Sequence, residues 1–205
     1  VRVVVCGAGT VGLGCARLVL ALGVRPEQLW MYDQSGPVRP DRRDLTVYQR
    51  EFAREDVAPT LADALRGADV FIGASAGGVV SPEMVQTMAA YPVVLALAMP
   101  APEIAYDAAR RARRDVIAAT AISGVPNAVL DLLSFPYILR GALDVQATRI
   151  TDGMLLAAAG ALAGLAREEA VDEVSRAYGR ERCPSGPEDL LPKAIGPRIL
   201  VREAA

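Results

Sequence analysis

Short, almost wholly apolar runs alternate along the chain with stretches whose apolar residues recur every three or four positions. The first kind of run predicts buried strands and the second predicts amphipathic helices. Val1–Cys6 is the first strand, broken only by Arg2, and Thr10–Leu22 follows as a helix with Val11, Cys15, Leu18 and Leu22 on one face, ended by Gly23. Further strands are expected at Gln28–Asp33, Asp69–Ala74, Val93–Ala98 and Val116–Ala119. Between them, Ser35–Asp44 reads as a polar loop, and Leu45–Arg54, Thr60–Arg66 and Pro102–Arg114 read as helices. Thr60 with Asp63 three residues on has the form of a capping box, and Ser81-Pro82-Glu83 has the form of a helix start. Five buried, Val/Ala-rich strands separated by helices specify an α/β fold, a doubly wound parallel sheet (Rossmann-like) with helices on both faces. Beyond the last strand, Asn127–Ser134 and Pro136–Val145 read as helical and split at Pro136, Met154–Arg167 is an alanine-rich helix, and Ser175–Pro192 is polar and irregular.

Gly7-Ala8-Gly9-Thr10-Val11-Gly12 interrupts the first strand–helix junction with G-x-G-x-x-G spacing. A strand lies directly before it, a helix directly after it, and Asp33 ends the next strand twenty-one residues beyond Gly12. Those are the settings in which the spacing binds a dinucleotide. Gly7 permits the tight turn, Gly9 lets the backbone approach a pyrophosphate, and Gly12 lets the helix lie close on the strand. Thr10 and Val11 then stand in the first helical turn, whose free N–H groups attract phosphate. Asp33 is expected to accept the hydroxyls of the adenosine ribose and to favour NAD, with NADP possible, since Arg39, Arg42 or Arg43 could receive a 2′-phosphate. Ala74-Ser75-Ala76-Gly77-Gly78 follows the Asp69–Gly73 run, which places Ser75, Ala76 and Gly77 beside the dinucleotide, at the carboxyl end of a parallel strand.

Composition removes other chemistries. The 205 residues contain no histidine, so a His base, a Ser-His-Asp triad and His metal ligands are excluded, and Lys193 is the single lysine beside twenty-one arginines. Net charge is −2, with a pI of about 5.3. Nucleic acid and anionic membranes are therefore not expected partners, and the run Arg110, Arg111, Arg113, Arg114 reads as a helix C-terminal turn. Cys6, Cys15 and Cys183 are scattered without a C-x-x-C spacing, which points to a reduced, cytoplasmic setting, with Cys6 and Cys15 as small core residues. Met154–Ala166 is shorter than the ~20 residues a bilayer requires. Its near-complete apolarity suggests burial on more than one side, against a further domain or in an oligomer. Glu168, Glu169, Asp172 and Glu173 read as a solvated helix face. Residue 1 is Val inside an apolar run, which reads as a chain whose beginning is missing.

Larger motifs carry a resemblance. Val70-Phe71-Ile72-Gly73-Ala74-Ser75-Ala76-Gly77-Gly78-Val79 with Pro82-Glu83-Met84-Val85 resembles the cofactor domain of bacterial-type malic enzymes. So do Arg43-Asp44-Leu45 with Phe52-Ala53, Ala96-Leu97-Ala98 with Pro100 and Pro102-Glu103-Ile104, Phe135-Pro136 with Arg140-Gly141-Ala142-Leu143-Asp144-Val145, and Pro197-Arg198. The resemblance implies that residues 1–205 are one NAD(P)-binding domain of an oxidoreductase that converts malate to pyruvate and CO₂ with NAD(P) and a divalent metal, Mg or Mn, acting as Lewis acid. It also implies that the catalytic lysine and tyrosine and the metal carboxylates lie in an N-terminal substrate domain before this chain or on a second chain. Lys193 does not match that lysine, so no catalytic and no metal residue is expected here. Hydride transfer is expected at a mouth formed by Ser75–Gly77, Met99 and Asn127.

The chain departs from the family where the substrate is expected. Met99 stands in place of a malate-contacting asparagine, Leu130 and Asp131 replace paired asparagines, and Thr120-Ala121-Ile122-Ser123-Gly124 replaces Thr-Gly-Arg-Ser-Asp, while Asn127 is retained. Methionine cannot donate a hydrogen bond to a carboxylate, and an ionised Asp131 would repel a dianionic acid. Met99 and Asp131 are therefore either a rewritten substrate wall or an ordinary core filler and a solvated helix-face acid. Three functions follow: part of a malate oxidoreductase acting on a small organic acid, a dinucleotide-binding module or pseudoenzyme, or a dehydrogenase whose different acid presents a cation to Asp131.

Overall fold

The computed structural model describes residues 1–168, 186–187, 190–192 and 198–203. Cys183, Lys193, Pro197, Glu169, Asp172, Glu173 and most of Ser175–Pro192 lie outside the described residues. The chain divides into two compact units, Val1–Val125 and Pro126–Ala205.

The first unit is built on a sheet. Its elements are β1 (Val3–Cys6), α1 (Thr10–Ala21), β2 (Leu29–Asp33), β3 (Gly36–Pro37), α2 (Val47–Arg50), α3 (Leu61–Leu65), β4 (Val70–Gly73), α4 (Pro82–Gln86), β5 (Val93–Ala96), α5 (Tyr106–Ala112) and β6 (Ile117–Thr120). The sheet order is β3-β2-β1-β4-β5-β6. All pairs are parallel except the short β2–β3 hairpin. The five expected strands are present, each within about two residues of its expected ends. The hairpin was not expected: Gly36, at φ +107°, lets the chain fold back so that Gly36–Pro37 pairs with Tyr32–Asp33.

Alternation along the strands sorts the core onto two faces. Val4, Cys6, Phe71, Val94, Ala96 and Ala118 pack with Leu65, Val85 and Ala109 of α3, α4 and α5. Val3, Val5, Leu29, Met31 and Ile72 pack with Ala16 of α1 and with Val38, Leu45 and Phe52. Helices thus cover both faces of a parallel sheet.

Three helix expectations of this unit are corrected. The inner face of α1 is the stripe Gly12–Ala16 with Leu13, Cys15, Val19 and Leu20, whereas Val11 and Leu22 are 59% and 68% exposed. The reason is distance: a Cβ on Gly12 would meet the Gly7 carbonyl oxygen at 1.7 Å, so the smallest residues lie nearest the strand. The Leu45–Arg54 region is helical only over Val47–Arg50, opened by a Thr46/Gln49 capping box. Thr60 does cap α3 by accepting from the Asp63 amide, and Ser81 caps α4 by accepting from the Met84 amide. Helix α5 starts at Tyr106 rather than Pro102, because Glu103 and Ile104 turn inward and are buried. The arginine run at its end is structural: Arg110 donates to the carbonyls of Arg114 and Val116, and Arg113 pairs with Asp115 and donates to the Met88 carbonyl.

The second unit packs α6 (Phe135–Asp144), α7 (Asp152–Arg167) and α8 (Arg198–Glu203) around Leu133, Leu165 and Ile199. Asn127–Ser134 is not the helix expected; only Asp131–Leu133 forms a 3-10 turn, and Pro136 sits in the first turn of α6 instead of breaking it. Glu168 follows α7 and pairs with Arg198 and Arg202, so it is not a bare solvated acid. No helix among the described residues is long and apolar enough to cross a membrane.

Two glycines two positions apart in α1 give opposite predictions. Gly12→Ala should lower unfolding free energy by about 3 kcal/mol, since backbone must move. Gly14→Ala, with nothing within 4 Å of its Cβ position, should leave stability unchanged or raise it by up to ~1 kcal/mol. Urea unfolding of both variants checks the pair; equal effects would mean that α1 does not press on the turn.

Candidate dinucleotide site

The sheet order reverses between β1 and β4: from β1 the chain passes to β2 on one side and returns to β4 on the other. Ligands of open parallel sheets lie in the crevice beyond the carboxyl ends of the strands at such a point. Gly7, Gly9, Ser75, Ala76, Gly77 and Met99 fall on the turns that leave those ends, after β1, β4 and β5, while Thr10, Val11 and Gly12 open α1 and Asp33 ends β2.

The turn after β1 is made by close backbone contacts. Gly7, at φ +115°, donates to the Tyr32 carbonyl at 2.8 Å, and a Cβ on it would meet the Ala74 carbonyl oxygen at 2.2 Å. Gly9 differs from its two partners. Nothing lies within 4 Å of its Cβ position, and its φ of −90° is open to any residue. It is the N-cap of α1, exposed, with no side chain capping the helix. Thr10 and Val11, the first residues of α1, are exposed as well, so the start of the helix has room for a pyrophosphate. Gln49 steadies this turn from outside: its Nε2 donates to the Ala8 carbonyl at 3.0 Å while its Oε1 accepts from the Thr46 amide. Beneath the turn, burial pushes the Cys6 thiol up from its usual range.

Asp33 is where the motif predicts it, and its carboxylate is already held. Arg42 Nη1 and Nη2 donate to Asp33 Oδ1 and Oδ2 at 2.9 and 2.8 Å, and the Ser35 amide donates to Oδ1 at 2.8 Å. Arg42 also donates to both oxygens of Asp44 and to the Pro37 carbonyl, so all five of its N–H groups have acceptors. Asp44 and Asp33 push this guanidinium further up from its already high range, and Arg42 in turn holds Asp44 below the usual carboxylate range. Of the two other arginines, Arg39 pairs with Asp41 and donates to the Glu55 carbonyl, and Arg43 is exposed.

On the other side of the crevice, Ala76 and Gly77 are exposed. The amide and hydroxyl of Ser75 both donate to Glu103 Oε1, at 2.7 and 3.0 Å. Glu103 is fully buried. Met99, after β5, is 65% exposed and therefore no core filler.

The last two candidates belong to the second unit. Asn127 is fully buried; its Nδ2 donates to the Pro187 carbonyl at 2.7 Å, and its Oδ1 accepts from the Leu190 amide at 3.0 Å. Asp131 is exposed, in the first turn of the 3-10 segment. No group of three or more Cys, Asp or Glu among the described residues could hold a metal ion, so these residues do not fit the metal that the resemblance implies.

A family model described as "Malic enzyme, NAD binding domain" matches residues 1–178. The chain belongs to this family. An NADP-dependent malic enzyme of Halomonas elongata is 45% identical over 201 residues, 98% of this chain and 48% of the relative. An NAD-dependent malic enzyme of Rhizobium meliloti is 43% identical over 204 residues, 99% of this chain and 26% of the relative. Among solved structures, the malic enzyme of Entamoeba histolytica superposes with a TM-score of 0.84 at 32% identity, covering 99% of this chain and 41% of that one. The NAD-dependent malic enzyme of Thermotoga maritima gives 0.83 at 32% identity, covering 100% and 50%. The chain thus spans between 26% and 50% of these family members.

Sequence reasoning missed Glu103, Gln49 and the Asp33–Arg42 pair as parts of the site. Glu103 left a trace, as an acid between a proline and an isoleucine in a run that is otherwise apolar, and Arg42 another, as one of three arginines in the loop after Asp33.

Arg42→Ala should lower stability by about 2 kcal/mol, because it strips a half-buried bidentate partner from Asp33. Arg39→Ala should change stability by less than ~0.5 kcal/mol. Chemical unfolding of the two variants measures this, and equal losses would mean that Asp33 gains nothing from Arg42.

Proposed function

We propose that this domain holds NAD(P) for the oxidative decarboxylation of malate to pyruvate, the reaction that the family resemblance implies. The observation that carries the reading is Gly9: a glycine that the fold itself does not require, facing open space at the uncapped start of α1. Gly7, Gly9 and Gly12 shape the turn, the amides of Thr10 and Val11 take the pyrophosphate, and Ala76 and Gly77 flank the half of the dinucleotide beyond it. Asp33 keeps oxygen lone pairs for the ribose hydroxyls while Arg42 fixes its orientation. The bound dinucleotide supplies the hydride acceptor. The catalytic lysine and tyrosine and the Mg or Mn ligands are assigned to a substrate domain in the part of the relatives that this chain does not span, or to a second chain, in a cytoplasmic and oligomeric enzyme.

NAD is the preferred form. Asp33, Arg42 and Asp44 together leave one net negative charge where a 2′-phosphate would sit, and Arg42 has no N–H left to receive it. A second reading draws on Met99: an exposed apolar side chain after β5, where the family resemblance implies a malate-contacting asparagine, supports a dehydrogenase for a different acid or a module that binds without turnover.

The test of activity is absorbance at 340 nm with malate, NAD and Mn²⁺, for this chain and for any longer parent that carries it. Reduction by the parent supports the malate reading; coenzyme binding without reduction supports the module. Arg42→Ala, which leaves Asp33 without its cation, should widen the preference for NAD over NADP by about tenfold in calorimetric titration. An unchanged ratio would remove the argument from charge.

A further inference from the structure

We propose that Glu103 is a positioning residue for the half of the dinucleotide that lies beyond the pyrophosphate, on the β4 and β5 side of the crevice. The inference rests on the dinucleotide reading above. Its ground is a buried carboxylate placed where the fold offers it no cation. Glu103 is fully buried, and among the described residues no arginine or lysine pairs with it. Its partners are instead the backbone at two strand ends. Oε1 accepts from the Ser75 amide and hydroxyl, just past β4, and Oε2 accepts from the Ala98 amide at 3.1 Å, just past β5. One carboxylate therefore ties together two loops that leave neighbouring strands.

The surroundings are cut to admit it. A Cβ on Gly73 would lie 2.3 Å from Glu103 Cδ and within 2.6 Å of both oxygens, so only glycine at the end of β4 leaves room. The same two loops are held by backbone bonds from the Gly78 amide to the Pro102 carbonyl and from the Val80 amide to the Glu103 carbonyl. Gly77 presses on Ala101, where a Cβ would come within 2.7 Å of the Ala101 Cβ. Ala74 and Ser75, in turn, abut Gly7 of the turn after β1. The chain of contact runs from Glu103 through Ser75 to the glycine turn, and Ala76 and Gly77 are presented to the crevice from it.

Two amide N–H groups can only donate, and a carboxylate can accept both at once. A glutamine offers one acceptor oxygen and turns its own N–H₂ towards the other amide, so it satisfies one loop at the expense of the other. The adenosine ribose and pyrophosphate lie towards β2 and β1, where Asp33 and α1 stand, so ADP fills only that side. This separation gives a readout that general loss of stability does not move.

The experiment is calorimetric titration of this chain with NAD and, separately, with ADP, for the natural sequence, Glu103→Gln and Glu103→Asp. NAD affinity should fall about tenfold or more in Glu103→Gln, while ADP affinity stays within about twofold. Glu103→Asp keeps the charge but shortens its reach by one methylene; it should show the same split and serves alone if Glu103→Gln does not fold. Equal losses for NAD and ADP would overturn the proposal in favour of a merely structural role, and so would no loss for either. If the natural chain binds neither ligand, the dinucleotide reading itself fails; if it binds both and the variants match it, only the role of Glu103 fails.

Discussion

The structure depends on backbone touching backbone at the end of the first strand. The Gly7 carbonyl occupies the place of a side chain at position 12, and the Ala74 carbonyl occupies the place of a side chain at position 7. With no Cβ at either position, β1, the start of α1 and the end of β4 draw together. Interiors are packed too densely for such a contact to be widened at one point alone. The consequence is that α1 starts directly beyond the end of β1, with no side chain capping its first turn.

Charge is arranged differently on the two sides of that floor. On the β2 side, Asp33 sits half-buried in a cluster with Arg42 and Asp44, and the guanidinium has every N–H engaged. On the β4 and β5 side, Glu103 is fully buried and held by neutral donors of its own backbone. The first arrangement fixes the orientation of the Asp33 carboxylate; the second ties the loops after β4 and β5 together.

Much of this was legible in the chain as written. Five apolar runs located five strands, because a strand covered on both faces must be apolar throughout, and three glycines followed by Asp33 located the crevice. What could not be read has physical causes. The inner face of α1 was misjudged because large apolar residues mark a core by area, whereas a helix pressed on a turn is marked by small ones, here Gly12 and Ala16. The start of α5 was placed early because nothing in Pro102-Glu103-Ile104 says that the acid turns inward; its partners, Ser75 and Ala98, are distant or main-chain. Arg42 could be named as one of three loop arginines but not as the partner of Asp33, since that choice depends on the unforeseen hairpin at Gly36. The bonds of the Asn127 amide to the chain at Pro187 and Leu190 span some sixty residues, a separation no local pattern reports.

The account stands most directly on Gly9, whose side-chain position is empty of protein. Gly9→Ala should change unfolding free energy by less than ~1 kcal/mol, because the fold has room for the methyl. Its NAD affinity in calorimetric titration should fall by more than about tenfold, because the methyl stands where the pyrophosphate must approach. A variant that binds NAD as tightly as the natural chain would contradict the account.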